Sequence, residues 1–81
     1  MGDFVAASAL YDREKTEDEV RAMTSAQLEA ERAATQRDLD WLRALIDRSR
    51  GEIERATAEL RHDIARRYLR RVTAEQKWRS G

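Results

Sequence analysis

The sequence predicts an all-α protein, and three observations carry that prediction. Proline and asparagine are absent and only three glycines occur, two of them beside the termini, a composition that favours helix and removes its commonest breakers. Apolar side chains recur at three-and-four spacing from Leu28 to Leu60, the period of one helix face. Serine or threonine stands three residues before glutamate or glutamine at several points, the spacing of a capping box, in which hydroxyl and carboxyl or amide group each satisfy a free backbone N–H at a helix start.

The elements follow in order within one domain. Asp3 can cap a short helix through Lys15, with Phe4, Val5, Leu10 and Tyr11 as its apolar content. Thr16 with Glu19 starts a second short helix carrying Val20 and Met23, so residues 1–24 read as short N-terminal helices. Thr24 with Gln27 repeats the box, and residues 25–79 read as a long amphipathic helix or a helical hairpin. The choice hangs on Gly51 in "DRSRG". Leu28, Thr35, Leu39, Leu42, Ile46, Ser49, Ile53, Ala56 and Leu60 keep phase through the glycine, which favours a continuous helix, since a turn need not preserve phase and glycine costs a helix only ~1 kcal/mol relative to alanine. A hairpin near Gly51 is the alternative, with Ser49 and Glu52 as a further capping box and a loop of ordinary length.

A continuous helix from Ser25 would extend roughly 80 Å at ~1.5 Å per residue and could not bury its own stripe. Coiled-coil-like packing in an antiparallel homodimer is then expected. Charge agrees: net charge is zero, but residues 1–31 hold eight acids and three bases, residues 32–60 six of each, and residues 61–81 two acids and seven bases. Such a chain gains from antiparallel neighbours. Past Leu60 the stripe drifts, with Ile64, Tyr68 and Val72 at steps of four and Leu69 to one side. Ala30, Ala34, Trp41 and Leu45 form a second stripe on α-helical spacing, expected to be covered by the N-terminal segment or by a partner, so that Trp41 is buried either way. The interface set is therefore Leu28, Leu39, Trp41, Leu42, Leu45, Ile46, Ile53 and Leu60.

Catalysis is not expected. Without cysteine there is no thiol chemistry, His62 is the lone histidine, and no glycine-rich phosphate loop occurs. No cofactor or metal is expected. Asp40, Arg43 and Asp47, then Arg55 and Glu59, then Asp63 and Arg67, read as a solvated face of helical ion pairs. The start lacks a basic lead and a long apolar run, so no signal peptide is expected, and nowhere do eighteen apolar residues occur together; no membrane partner is expected and the cytoplasm is the expected location. The strongest charged feature is residues 61–79, where Arg66, Arg70 and Lys77 share one helix side and Arg67 and Arg71 flank them. These can bind nucleic-acid phosphates, or pair with the acidic N-terminal third.

"MTSAQLEAERAATQ" (23–36) followed by "LDWLRALIDRSRGEIERA" (39–56) resembles the arginine-rich helical core of the actinobacterial anti-sigma proteins that respond to cyclic di-GMP. The resemblance implies a helical scaffold and a sigma factor as partner. That family binds its dinucleotide through a helical Glu, Ser, Arg, Gln, Asp series. Aligned on Arg43, the positions here are Gln36, Asp40, Arg43, Asp47 and Gly51, of which only Arg43 matches; the two aspartates would repel phosphates. The expected function is a small helical regulator or adaptor acting by protein–protein binding, anti-sigma-like; the alternative is a nucleic-acid-associated protein using its basic C-terminal helix.

Overall fold

A computed structural model describes residues 10–81. They contain three helices and no strand: α1 (Glu17–Ala22), α2 (Ser25–Arg48) and α3 (Glu52–Ser80). The all-α class is as the sequence predicts. The two N-terminal capping boxes form as expected, Thr16 with Glu19 and Thr24 with Gln27. Leu10 to Thr16 is not helical, which removes the end of the helix expected to run to Lys15; its beginning, with Asp3, Phe4 and Val5, lies outside the described residues.

The chain turns at Ser49–Gly51, and α3 packs back along α2. The longest dimension is 44 Å, set by the length of α3 and half that of the continuous rod favoured by phase. The favoured reading is thus corrected to the hairpin. The Ser49 hydroxyl does not start a helix with Glu52; it bonds back to the Leu45 carbonyl at 2.7 Å, a local bond that competes with helix continuation. Gly51 caps α3 instead, in extended backbone (φ −85°, ψ 141°) and without a side-chain cap bond. Glu52 and Glu54 follow in the first turn of α3, while Arg48 closes the last turn of α2, each charge opposing the local helix dipole. Breaking the helix loses a few backbone bonds worth ~1 kcal/mol each. Burying Leu28, Leu39, Leu42, Tyr68 and Val72 gains about 1.5–3 kcal/mol per large side chain. Burial wins.

Phase is misleading here because the stripe of α3 that meets α2 is not the continuation of the α2 stripe. Leu28, Thr35, Leu39 and Leu42 are buried as expected, and Ser49 closes the row. On α3 the buried row is Ala58, Ala65, Tyr68 and Val72, so Ile53 and Leu60, assigned to the interface stripe by phase, are exposed. Ala58, Ala65 and Val72 are spaced by heptads, and small residues there let the two helices approach while Leu39 and Leu42 pack against Ala65. At the open end a second cluster joins Val20 of α1 to Leu28, Tyr68 and Val72, with Tyr11 and Met23 on its edge. Six-residue helices are unstable alone. Tertiary contacts hold α1: Val20 is buried, and the Arg79 guanidinium donates to the Arg21 carbonyl at 2.9 Å.

Candidate functional site

The segment Tyr11–Lys15 crosses the hairpin as a strap and fixes the surfaces on either side of it. The Tyr11 hydroxyl and Arg13 Nε both donate to Asp38, at 2.8 and 2.9 Å. Glu31 accepts from the Tyr68 hydroxyl at 2.6 Å and from Lys15 at 3.1 Å, with Arg13 at 3.6 Å. Arg71 donates to the Lys15 carbonyl at 2.7 Å, and the rings of Tyr11 and Tyr68 meet edge to face at 6.3 Å, a favourable aromatic geometry. Burial alone would raise the Glu31 pKa, but the bonds from Tyr68 and Lys15 and the nearby cations outweigh it and hold the carboxyl below its ordinary range. Burial, with a hydrogen bond to a carboxylate, pushes both tyrosine hydroxyls upward. Sequence reasoning missed this network. A signal existed: Glu31 and Asp38 are seven residues apart on the edge of the Leu28–Leu42 stripe, where acids need a partner.

The expected interface set divides three ways. Leu28, Leu39 and Leu42 are buried inside the chain, Leu45 and Ile46 are half-buried, and Trp41, Ile53 and Leu60 are 59%, 83% and 46% exposed. Within the described residues Trp41 is not covered: Leu10 and Tyr11 reach only its edge, sharing with Trp41, Leu42 and Arg61 a cavity of about 310 Å³, and the strap turns toward the core at Leu39 and Tyr68. At ~100° per residue, Trp41 and Leu45 lie about 100–130° round α2 from its buried row, and Ile53 and Leu60 lie as far round α3 in the same sense. In antiparallel helices the same sense places both on one side. That side, toward the tip of the hairpin, carries three of the four large apolar side chains exposed among the described residues, Trp78 being the fourth.

The basic residues of α3 also divide. Arg66 and Lys77 are exposed away from the strap, whereas Arg67, Arg70 and Arg71 line an open groove of about 910 Å³ between α1 and the C-terminal half of α3. Arg21 and Arg79, not expected at the site, line it too, as does Trp78. The hairpin brings the acidic and basic thirds of the chain to the same end. Even so, among the described residues no base of 61–81 forms an ion pair with an acid of the N-terminal third: the acids there pair with Arg13, Lys15, Arg21 and Arg32, and Arg79 pairs with Glu75 on its own helix.

The dinucleotide-like series does not assemble. Gln36, Asp40, Arg43 and Asp47 are exposed on one face of α2, with Gln36 donating to Asp40 at 3.2 Å, but Gly51 lies past the end of that helix. The expected ion-pair face is solvated without its pairs: no salt bridge joins Asp40, Arg43 and Asp47, Arg55 and Glu59, or Asp63 and Arg67. His62 is half-buried. Among the described residues no helix is long and apolar enough to cross a membrane, and no group of three or more His, Asp or Glu side chains converges as a metal site would. Comparison with known proteins finds no matching family, no matching curated protein and no matching solved structure.

Proposed function

We propose that the protein is a small, non-catalytic cytoplasmic regulator or adaptor that acts by protein–protein binding through the tip of its hairpin. One observation carries this reading: Trp41, Ile53 and Leu60 are exposed together in a chain with only 20 apolar residues other than alanine. A thin core that leaves these three side chains from about half to mostly in water forgoes part of the ~1.5–3 kcal/mol that full burial of each would give, and exposed apolar surface gathered on one side marks interaction sites. Tryptophan is an enriched anchor in such sites. The resemblance of residues 23–36 and 39–56 to the anti-sigma helical family makes a sigma factor the first target class to try. With the aligned positions cut by the turn and two aspartates in the places of serine and glutamine, Arg43 is not expected to hold cyclic di-GMP.

A homodimer through the same face is the second form of this reading. The balanced charge of the middle third, six acids and six bases in residues 32–60, lets two tips approach without like-charge repulsion. One pair of measurements separates the forms. Sedimentation of the wild type and of Ile53→Glu at micromolar concentration gives dimer and monomer if a second copy is the partner. Capture from the source cell by the wild type, but not by Ile53→Glu, identifies a different target. A monomeric wild type whose captured proteins are all retained by Ile53→Glu removes the reading.

A further inference from the structure

We infer that the groove between α1 and the C-terminal half of α3 is a binding site for single-stranded nucleic acid, in which arginines hold phosphates and Trp78 stacks on a base. This goes beyond the adaptor reading and uses a different surface. Five guanidinium groups line the groove, from Arg21, Arg67, Arg70, Arg71 and Arg79, against the carboxylates of Glu17 and Glu75, an excess of three positive charges. Both acids are already engaged: Glu17 lies 3.7 Å from Arg21 and Glu75 2.9 Å from Arg79. Two of the arginines are held in place by the backbone. Arg71 donates one N–H to the Lys15 carbonyl at 2.7 Å, and Arg79 donates one to the Arg21 carbonyl and another to Glu75, each at 2.9 Å; Arg71, without an acidic partner, keeps its remaining N–H groups for an anion with little further loss of side-chain freedom. Arg67 and Arg70 are exposed and have no acidic partner among the described residues.

The aromatic residue selects the ligand class. Trp78 lines the groove yet is 79% exposed, and it follows Arg67, Arg71 and Ala74 at steps of four, three and four, so one face of α3 presents cations and then an indole along ~16 Å of helix. Phosphates spaced along a chain and base faces free to stack are what a single strand offers. A duplex hides its base faces in the stack and leaves the indole nothing to stack on. An acidic peptide offers charge but nothing that gains specifically from the indole.

Fluorescence anisotropy with a labelled fifteen-residue oligo(dT) tests this on the full chain. Expected is binding at low salt that weakens with a slope of log K against log salt of about −2, three phosphate contacts at ~0.7 each. Arg67→Gln with Arg70→Gln should bring the slope to about −0.7, and Trp78→Ala should weaken binding about tenfold. All three side chains are exposed, so unchanged melting temperatures should confirm that the variants fold. In a Trp41→Phe background the Trp78 fluorescence should be quenched on binding. No binding at low salt overturns the proposal. So does a fifteen-base-pair duplex that binds as tightly as the single strand, poly-glutamate that competes as well as unlabelled oligo(dT) at equal charge, or an unchanged affinity in Trp78→Ala.

Discussion

The two ends of the hairpin are built from the same helices but to different standards. At the open end, Val20, Leu28, Tyr68 and Val72 are buried from three helices, two capping boxes close the helix starts, and the strap ties Tyr68, Glu31 and Asp38 together. At the tip, only two helices meet, α3 begins at a glycine with no side-chain cap, and Ile53 and Leu60 stay in water. The difference teaches where stability and binding can separate. A region held by apolar packing and paired polar groups resists local opening, while a sparsely packed one is free to adapt to a partner. Substitutions at the two ends should therefore differ in kind.

The largest effect is expected at the open end. Tyr68→Ala removes a fully buried ring, its edge-to-face contact with Tyr11 and its bond to Glu31. Loss of a buried aromatic ring costs about 3–5 kcal/mol, most of the stability of a domain this small. Urea denaturation should show the variant largely unfolded without denaturant. A loss below ~1 kcal/mol would place the main core elsewhere.

Next comes Glu31, which gathers the strap. Glu31→Gln keeps the shape but removes the charge facing Lys15 and Arg13, and hydrogen bonds to charged groups are worth about 1.5–3 kcal/mol. Its pH dependence has a fixed sign. The folded carboxyl is held below its ordinary value of 4.5, so its contribution is complete above that pH and is lost as the pH falls through the folded value. Thermal melts of the wild type should fall below about pH 4.5, and those of Glu31→Gln should fall less. Equal acid limbs would show that Glu31 does not anchor the strap. Glu29, drawn down to about 2 by Arg32 and then by Gln76, adds a smaller exposed loss of the same sign.

How much of this was legible in the sequence follows from what each residue's neighbours supply. Capping boxes depend on residues three apart, and two of the three proposed ones formed; at the third, the Ser49 hydroxyl turns back to the Leu45 carbonyl and Gly51 takes the cap position. The α2 stripe was legible because leucine dominates it. The α3 row was legible only in its second half, where Tyr68 and Val72 lie on the drifting stripe; Ala58 and Ala65 mark the contact by being small, and alanine reads as helix former before it reads as core. The basic groove was partly legible. Arg67, Arg70 and Arg71 stood out by charge, but Arg21 and Arg79 join them only through the approach of α1 to α3, and no local spacing records that approach.

At the tip, the stability change should be small. Ile53→Ala removes a side chain that is mostly in water and should shift unfolding by less than ~0.5 kcal/mol, the range of exposed substitutions. Leu28→Ala, one helix away and buried, should lose about 2–5 kcal/mol. Comparable losses in parallel urea titrations would break the contrast between the ends.

The smallest expected effect lies at the turn and decides how the chain reverses. Two readings of Gly51→Ala follow from sequence: stabilisation by up to ~1 kcal/mol inside a continuous helix, or a clash if the glycine closes the turn at positive φ. The structure meets neither condition. Gly51 is extended, no described residue has positive φ, and an added Cβ would meet nothing nearer than the Glu54 side chain at 3.9 Å. Alanine restricts the unfolded chain, which stabilises by ~0.4–1 kcal/mol, but it is a poorer helix cap than glycine, so the two terms should nearly cancel. Gly51→Ser gains from both. Its hydroxyl would stand three residues before Glu54, the capping-box spacing that already works at Thr16 and Thr24. A rise of a few tenths to about 1 kcal/mol is expected over the wild type. The decisive quantity is the order of melting temperatures at fixed protein concentration: serine above alanine marks position 51 as the cap of α3, whereas alanine clearly above serine is the order a helix interior would give and would contradict the turn.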